Sequence, residues 1–357
     1  MKKEGVCVVG GGVAGLMAAK VFAQNGYRVT VYERYTIGSG ATLNNFGQLH
    51  SGAIFAPVMP ELTKVCWGAY KEYLCFVGAS SRDVAHSRGL TVFPSQKEAV
   101  SYTKIWDSVG IPYKKILDNP YLHPGGITYE IPDTLLHPED AIGVLRTEVV
   151  KLGVDIIENA EVILKRERGS VRPHLDAGPL PHSLVVVAAG VATKNILENC
   201  NLKSPLTLHY LPWALYPELI TDRIVYDLGP DLLGTAPDLL HDRTIFALPG
   251  RYEEKDLRNY KVKEDIESKL RSIVMNHWSH VFREDVTLTY SYNPVIQEYQ
   301  TNNLAKPFNT VVDLSDPTLT PEWDACNNLI VILSGKVSLS LLLPETIGTL
   351  IKKRECA

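Results

Sequence analysis

Cysteine is sparse and scattered. The six residues, Cys7, Cys66, Cys75, Cys200, Cys326 and Cys356, include no C-x-x-C pair. That spacing argues against a zinc site and against a disulfide framework. Neither sign of charge prevails, because 36 Lys and Arg stand against 40 Asp and Glu for a formal charge of −4. No basic excess draws nucleic acid, and no basic run marks a membrane surface. No apolar run nears the ~20 residues that span a bilayer. Internal repeats and low-complexity tracts are lacking too. The first strand pattern begins by Val6, so no cleavable leader is expected ahead of it. With 45% apolar and 21% charged residues over 357 positions, the expectation is a reduced, cytoplasmic protein of one large or two modest domains.

The most informative stretch is VCVVGGGVAGLMAAK, followed by RVTVYE, which ends in Glu33. Val6 to Val9 read as a buried parallel strand, and Val13 to Asn25 as a helix with apolar residues at helical spacing. Between them Gly10, Gly12 and Gly15 fill the spaced positions of a dinucleotide-binding turn. The first allows a tight turn, the second lets a pyrophosphate approach the backbone, and the third lets helix and strand pack closely. The helix start at Val13 and Ala14 offers N–H groups and partial positive charge to phosphates. Glu33 lies where a carboxylate accepts from a ribose diol. A second fingerprint of this kind, as NADPH-dependent routes would need, is absent.

The rest alternates in character. RYTIGSGATLNNFGQLHSGAIFAP is a long loop with at most a short helix, and loops of that length are usually functional. A cofactor longer than NAD explains such a second Gly- and Asn-rich loop. Helices are expected over Glu61–Phe76, Gln96–Val109 and Lys261–His277, and strands over GLTVFPS, VDIIE, AEVILKRE and SLVVVAAG. Residues 111–137 are punctuated by prolines and read as loops with short strands. From about Ser204 to Tyr299 short alternating strands, such as RTIFALP and DVTLTYSY, suggest an antiparallel layer. NNLIVILS, a turn and a final helix in LLLPETIGTLIKK close the chain. The expected fold is α/β: a Rossmann-like domain over 1–80, 136–203 and 322–357, with an antiparallel α+β substrate domain inserted as 81–135 and 204–321.

Four segments carry a resemblance over most of the chain: the glycine-rich opening, GSGATLNNFGQLHSG, LLHPEDAIGVLRTEVVKLGVDIIENAEV with VVVAAG, and NLIVILSGKVSLSLLLPETI. In these the sequence resembles FAD-dependent oxidoreductases of the D-amino-acid oxidase and glycine oxidase superfamily. It is most similar to the L-2-hydroxyglutarate and glycerol-3-phosphate dehydrogenase types. The resemblance implies FAD as cofactor, with Gly10, Gly12, Val13, Ala14 and Gly15 at the pyrophosphate, Glu33 at the ribose and Arg34 towards the adenine. It implies phosphate donors at Ala41 and Thr42, an adenine contact from the Val162 backbone, and a strand end near the cofactor at Ala189 and Gly190. Asn45, Gly47, Gln48, His50 and Ser51 would line the flavin ring, and Gly335, Lys336 and Val337 would meet its pyrimidine end or the substrate. The turn SGKVSLS departs from the two-glycine or threonine-rich version common in the superfamily, and the Gly-Asp pair of flavin monooxygenases is absent.

The implied activity is oxidation of a small polar substrate at a carbon bearing a hydroxyl or an amine. Hydride passes to the flavin, and oxygen or another acceptor reoxidises it. His50, Lys336 and Arg251 are the candidate catalytic residues. His50 has three readings: it orients or deprotonates substrate, it attaches to the flavin as in some relatives, or it bonds within its own loop. Lys336, beside a helix start, is either a stabiliser of reduced, anionic flavin or a surface lysine. Arg251 is either a carboxylate clamp or a solvated loop residue. Tyr210, Trp213, Tyr216, Tyr252, Tyr290 and Tyr292 are further substrate candidates. His277 and His280 sit three apart, but without a third ligand they read as a helix C-terminal cap rather than a metal site. An NAD-dependent dehydrogenase and a non-catalytic flavoprotein are the alternatives.

Overall fold

The computed structural model describes residues 3–45, 47–78, 88–117, 126–229, 232–239, 241–248, 252–254, 262–278, 287–298, 309–316, 318–319 and 321–356, with the side chains of 252–254 and 292–298 left out. The chain divides into two compact units. The first comprises Met1–Asn44, Pro138–Leu208 and Val295–Ala357, and the second Asn45–His137 and His209–Pro294.

The chain opens with β1 (Gly5–Val9), α1 (Val13–Gln24) and β2 (Arg28–Tyr32). Next come β3 (Gln48–Leu49), a 3-10 turn at Ala53–Phe55, α2 (Pro60–Val77), β4 (Gly89–Phe93), α3 (Gln96–Val109), β5 (Lys114–Ile116), β6 (Ile127–Ile131) and β7 (Thr134–Leu135). The chain then forms α4 (Pro138–Lys151), β8 (Asp155–Ile157), β9 (Ile163–Glu167), β10 (Ser170–Leu175), β11 (Gly178–Pro179), β12 (Leu184–Val187) and α5 (Thr193–Asn199). β13 (Leu206–Tyr216), β14 (Val225–Asp227), β15 (Leu233–Asp238), β16 (Arg243–Ala247), β17 (Tyr252–Glu254), α6 (Glu264–Trp278) and β18 (Thr289–Glu298) follow. β19 (Asn309–Asp313), β20 (Leu329–Ser334) and α7 (Leu343–Cys356) complete the described elements.

The first unit is built on a six-stranded sheet in the order β19-β20-β12-β1-β2-β8. β20, β12, β1, β2 and β8 run parallel, and β19 pairs antiparallel to β20. Every residue of β1 and β12 is buried, as strands covered on both faces must be. One face packs α1, which also meets α4 and α7. The opposite face carries Cys7, Val9, Val185, Val187 and Val331 into a core shared with Val162 and Leu164, with Val171, and with Leu197 of α5. The chain runs outward from β1 through β2 to β8, then returns to the other side of β1 with β12. The switch point of the sheet therefore lies between β1 and β12, where ligands of such sheets bind.

The second unit holds a nine-stranded sheet, β17-β13-β16-β15-β14-β4-β6-β5 with β18 also paired to β13. One face packs Leu90, Val92, Ala214, Tyr216, Val225 and Phe246 against Leu270, Ile273, Val274 and Trp278 of α6. The other face packs Phe93, Tyr129, Ile131 and Tyr226 against Ala99 and Trp106 of α3, Ala53 of the 3-10 turn and Ala56 just after it.

The helix expected over Gln96–Val109 forms over those residues for a local reason. Ser95 accepts from the Glu98 N–H at 3.2 Å and donates to the Glu98 carboxylate at 2.8 Å, and Gly110 takes φ +78° at the other end. α6 starts at Glu264, three residues after the expected Lys261. The first crossing between units falls at Asn45, not near residue 80. The second half of the long loop turns away there to pair with β7 and to lead into α2. Among the described residues, no helix is long and apolar enough to cross a membrane.

Candidate active site

In the first unit, the glycine turn is shaped by close approaches. Gly10 has φ +107°, and a Cβ there would stand 2.5 Å from the Ala188 carbonyl oxygen. A Cβ on Gly15 would stand 1.9 Å from the Gly10 carbonyl oxygen, so only glycine lets α1 start so near the strand. Gly12 differs, since its φ of −75° suits any residue and a Cβ there would meet only the Thr42 hydroxyl, at 3.1 Å. The space over Gly12 is thus a cradle that a side chain would fill. Gly11, which the spacing rule passes over, is confined too, with a Cβ placed 2.3 Å from Ile37 Cδ1.

Polar groups complete this end of the sheet. The Val13 N–H donates to Thr42 Oγ1 at 3.2 Å, and no side chain of the N-cap residue caps α1. The first-turn N–H groups lack intrahelical partners by construction and direct positive potential over Gly12. Glu33 Oε2 accepts from the Gly11 N–H at 2.8 Å and Oε1 from the Tyr35 N–H at 3.0 Å, which fixes the carboxylate beside the turn. This donor set and cradle fit an adenine dinucleotide. Val162 is buried in the core beside β1 and β2, while Arg34 is exposed, 3.6 Å from Glu161. Ala41 is exposed, next to buried Thr42.

The register brings the carboxyl ends of three parallel strands to one edge. Val9 pairs with Val187, and Val187 with Val331, so Gly10, Ala189, Gly190 and the Gly335–Val337 turn follow neighbouring strand ends. The Ser334 hydroxyl donates to the Lys336 carbonyl at 2.5 Å, and Lys336 is half-buried. The turn runs into a 3-10 segment, Ser338–Leu342, and the final α-helix begins only at Leu343. Pro344 and Glu345 set that start, since both favour a first helical turn.

In the second unit, His50 lies in a buried polar cluster. Gly47, at φ +63°, lets its carbonyl accept from the Leu136 N–H at 2.5 Å, and its own N–H donates to the Asn45 side chain at 2.7 Å. Gln48 then pairs with Leu135 and Leu49 with Thr134. Continuing that antiparallel register sets His50 opposite Asp133. The Asp133 side chain is wholly buried. Its Oδ1 accepts from the Ser51 N–H at 2.8 Å and from the Ser51 hydroxyl, and its Oδ2 accepts from the Tyr226 hydroxyl at 2.9 Å. His50 Nδ1 stands 3.2 Å from the same Oδ2 and 3.0 Å from the Tyr226 oxygen.

Burial, then the neighbouring Asp133 charge and hydrogen bond, push the Tyr226 phenol well above its usual range. Tyr226 therefore keeps its proton and donates it to Asp133. A neutral His50 that donates from Nδ1 to the same carboxylate would carry its lone pair on Nε2. Tyr70 supports the same corner by donating to the Pro132 carbonyl at 2.7 Å, and burial pushes its phenol up to about 12. Asp133, Tyr226 and Tyr70 were not among the expected site residues, and nothing local in the sequence marks them.

The remaining candidates separate. Tyr210 and Tyr216 are buried in cores on the face that α6 covers, a correction to their expected substrate role. Trp213 lies at alternate register, on the opposite face. Tyr290 is half-buried and packs against both cores. His277 does not act as a simple helix cap, since its Nδ1 stands 2.6 Å from Asp227 Oδ2. Arg251 and His280, with the Tyr252 and Tyr292 side chains, lie outside the described residues.

Three comparisons bear on this geometry. Residues 5–248 match the family DAO, described as FAD dependent oxidoreductase. Over 216 residues the chain is 27% identical to a subunit of the anaerobic glycerol-3-phosphate dehydrogenase of Escherichia coli (strain K12), covering 56% of this chain and 39% of that protein. The chain thus spans well under half the length of that relative. Among solved structures, glycine oxidase from Geobacillus kaustophilus superposes with a TM-score of 0.68 at 16% identity, covering 98% of this chain and 95% of that one. NikD, an unusual amino acid oxidase essential for nikkomycin biosynthesis, gives a TM-score of 0.71 at 15% identity over 98% of this chain and 94% of its own.

Proposed function

The chain belongs to the DAO family of FAD dependent oxidoreductases, and from that premise we propose that it oxidises the CH–OH carbon of a 2-hydroxy acid or a related small alcohol. The NAD-dependent alternative falls with the family match. When bound, FAD supplies the acceptor for the hydride of that C–H bond. In the first unit the proposed cofactor contacts are Gly10, Gly12, Val13, Ala14 and Gly15 for pyrophosphate, Glu33 for ribose, and Ala41, Thr42, Val162, Ala189 and Gly190 along its length. Gly335, Lys336 and Val337 are proposed for the pyrimidine end, where the Lys336 ammonium balances negative charge. In the second unit Asn45, Gly47 and Gln48 are proposed ring contacts.

The observation that carries the proposal is the His50–Asp133–Tyr226 cluster. An alkoxide binds a proton far more tightly than a neutral imidazole does. Proton transfer therefore needs a base fixed in the right tautomer and stabilised once charged. Asp133 accepts from Nδ1–H, directs the lone pair to Nε2, and sets a buried negative charge beside the imidazolium that forms. Tyr226 and Ser51 hold that carboxylate in place from both oxygens. An amine that binds in its neutral form needs no such base, whereas every alcohol does, and so the pair suits an alcohol. The curated relative, whose name places its activity on glycerol-3-phosphate, points the same way. Glycine oxidase and the amino acid oxidase among the structural neighbours carry the second reading, CH–NH oxidation. Arg251 remains the proposed clamp for a substrate carboxylate. Six free cysteines fit a reducing compartment.

The test mixes FAD-loaded protein anaerobically with glycolate, L-lactate, glycerol-3-phosphate, glycine and L-proline, and follows loss of the flavin's visible absorbance. A hydroxy compound should bleach the flavin, and His50→Ala of equal FAD content should not. Bleaching by the amines alone moves the assignment to CH–NH oxidation. A flavin that stays oxidised across the panel refutes both.

A further inference from the structure

One row of the second unit's sheet passes through Tyr226. Tyr226 pairs with Gly234, Gly234 with Ala247, and Ala247 with Trp213, so all four positions share a face. On the other side of Tyr226 the same row continues to Thr91 and Tyr129, both buried. Towards β13 it opens, because Gly234, Ala247 and Trp213 each keep partial exposure while the reverse face of these strands is buried against α6. Two residues with almost no side chain thus separate two large aromatic ones, across about three strand spacings or roughly 14 Å.

Gly234 has no structural need to be glycine. Its φ lies outside the left-handed region, and it pairs regularly on both sides, which rules out a bulge. A Cβ there would find only ordinary contacts: the Ala247 carbonyl oxygen at 3.6 Å, Tyr226 Cδ1 at 3.9 Å and Ala247 Cβ at 4.0 Å. A glycine inside a strand weakens it, and close approach by a ligand is one recognised reason to find one there.

We infer that Gly234 and Ala247 form the floor of a subsite for an apolar substrate side chain, which runs from the His50 cluster towards Trp213, and that Gly234 sets the size admitted. The inference rests on the proposed oxidation at His50 and narrows its substrate to 2-hydroxy acids bearing a bulky apolar or aryl group. Trp213 bounds the far end.

Gly234→Val tests this, since the backbone φ and the room for a Cβ admit a side chain there and a β-branched residue suits the strand. The variant should melt at or above the wild-type temperature with equal FAD content. Wild type should favour 3-phenyllactate over L-lactate in kcat/KM, and Gly234→Val should cut that preference about 10- to 100-fold while sparing L-lactate. Calorimetry with 3-phenylpropionate and propionate gives a readout free of turnover, and the variant should lose the wild-type preference for the phenyl compound. A wild type that oxidises L-lactate but whose size preference is unmoved by Gly234→Val, in turnover and in calorimetry, overturns the subsite alone. A wild type reduced by another hydroxy compound but by neither of these acids also overturns the subsite alone, and a flavin that no hydroxy compound reduces overturns the oxidation reading and the subsite with it.

Discussion

Asp133→Asn should disable the base while leaving the cofactor site intact. Asp133 is an acceptor at both oxygens. Oδ1 takes the two Ser51 donors, and Oδ2 takes the Tyr226 hydroxyl at 2.9 Å and faces His50 Nδ1 at 3.2 Å. The Ser51 donors will hold the asparagine carbonyl at the Oδ1 position, so the amide nitrogen falls at the Oδ2 position. It then presents N–H groups where Nδ1–H formerly donated. Two donors cannot face each other in a buried site, so the imidazole moves its proton to Nε2 and its lone pair to Nδ1. The wrong tautomer now meets the substrate. Loss of the oriented base should slow flavin reduction on the order of 10²- to 10⁴-fold, about 3–5 kcal/mol of barrier. Folding should suffer less, about 1–3 kcal/mol, because the Tyr226 hydroxyl can rotate to accept from the amide. FAD content should match wild type, since the glycine cradle belongs to the first unit. Single-turnover anaerobic reduction, run beside FAD absorbance and a thermal melt, measures all three. Reduction within about threefold of wild type, at equal FAD content, would refute the role given to the His50–Asp133 contact.

Two further expectations concern the first unit. Gly15→Ala drives a methyl group into the Gly10 carbonyl, 1.9 Å away, and should yield colourless, less stable protein. Gly143→Ala, inside α4 with nothing within 4 Å of its Cβ, should keep the flavin and gain up to about 1 kcal/mol. If both variants retain FAD equally, the account of the turn fails. At the carboxyl terminus, Arg354 donates to both oxygens of Asp313, at 2.6 and 2.7 Å. Burial works to raise the Asp313 carboxyl, but the hydrogen bonds from Arg354 and Ser315 outweigh it and hold the carboxyl below its ordinary value. A depressed folded value stabilises above the unfolded carboxylate range, near about 3.9, and that stability is lost as pH falls through the folded value. Arg354→Leu should therefore cost about 1–3 kcal/mol at neutral pH, with the gap to wild type closing in acid. A gap independent of pH in urea melts would contradict the assignment.

Local chemistry made the first unit readable. The glycine turn, the strand before it, the helix after it and Glu33 are contiguous, and each obeys a constraint that acts within a few residues. α3 was readable for the same reason, since Ser95 and Gly110 mark its ends. His50 drew attention from its loop, but its partners did not. Asp133 is 83 positions away, in a proline-punctuated stretch, and Tyr226 is 176 positions away. A two-residue ladder, Gln48–Leu49 on Thr134–Leu135, sets His50 opposite Asp133, and so short a ladder has no periodicity to read. The choice between Trp213 and its neighbours Tyr210 and Tyr216 was likewise closed to the sequence. All three are aromatic and sit on one strand, and only the position of α6 decides which face is core. Gly234 lies in LLGTAPD, which reads like a turn until register shows it paired on both sides. The sequence by itself determined the dinucleotide fold and its cofactor, because backbone geometry at a phosphate turn is a local demand. Tertiary structure alone decided the His50–Asp133–Tyr226 cluster and the open row beside it, because those depend on side chains that only strand register brings together.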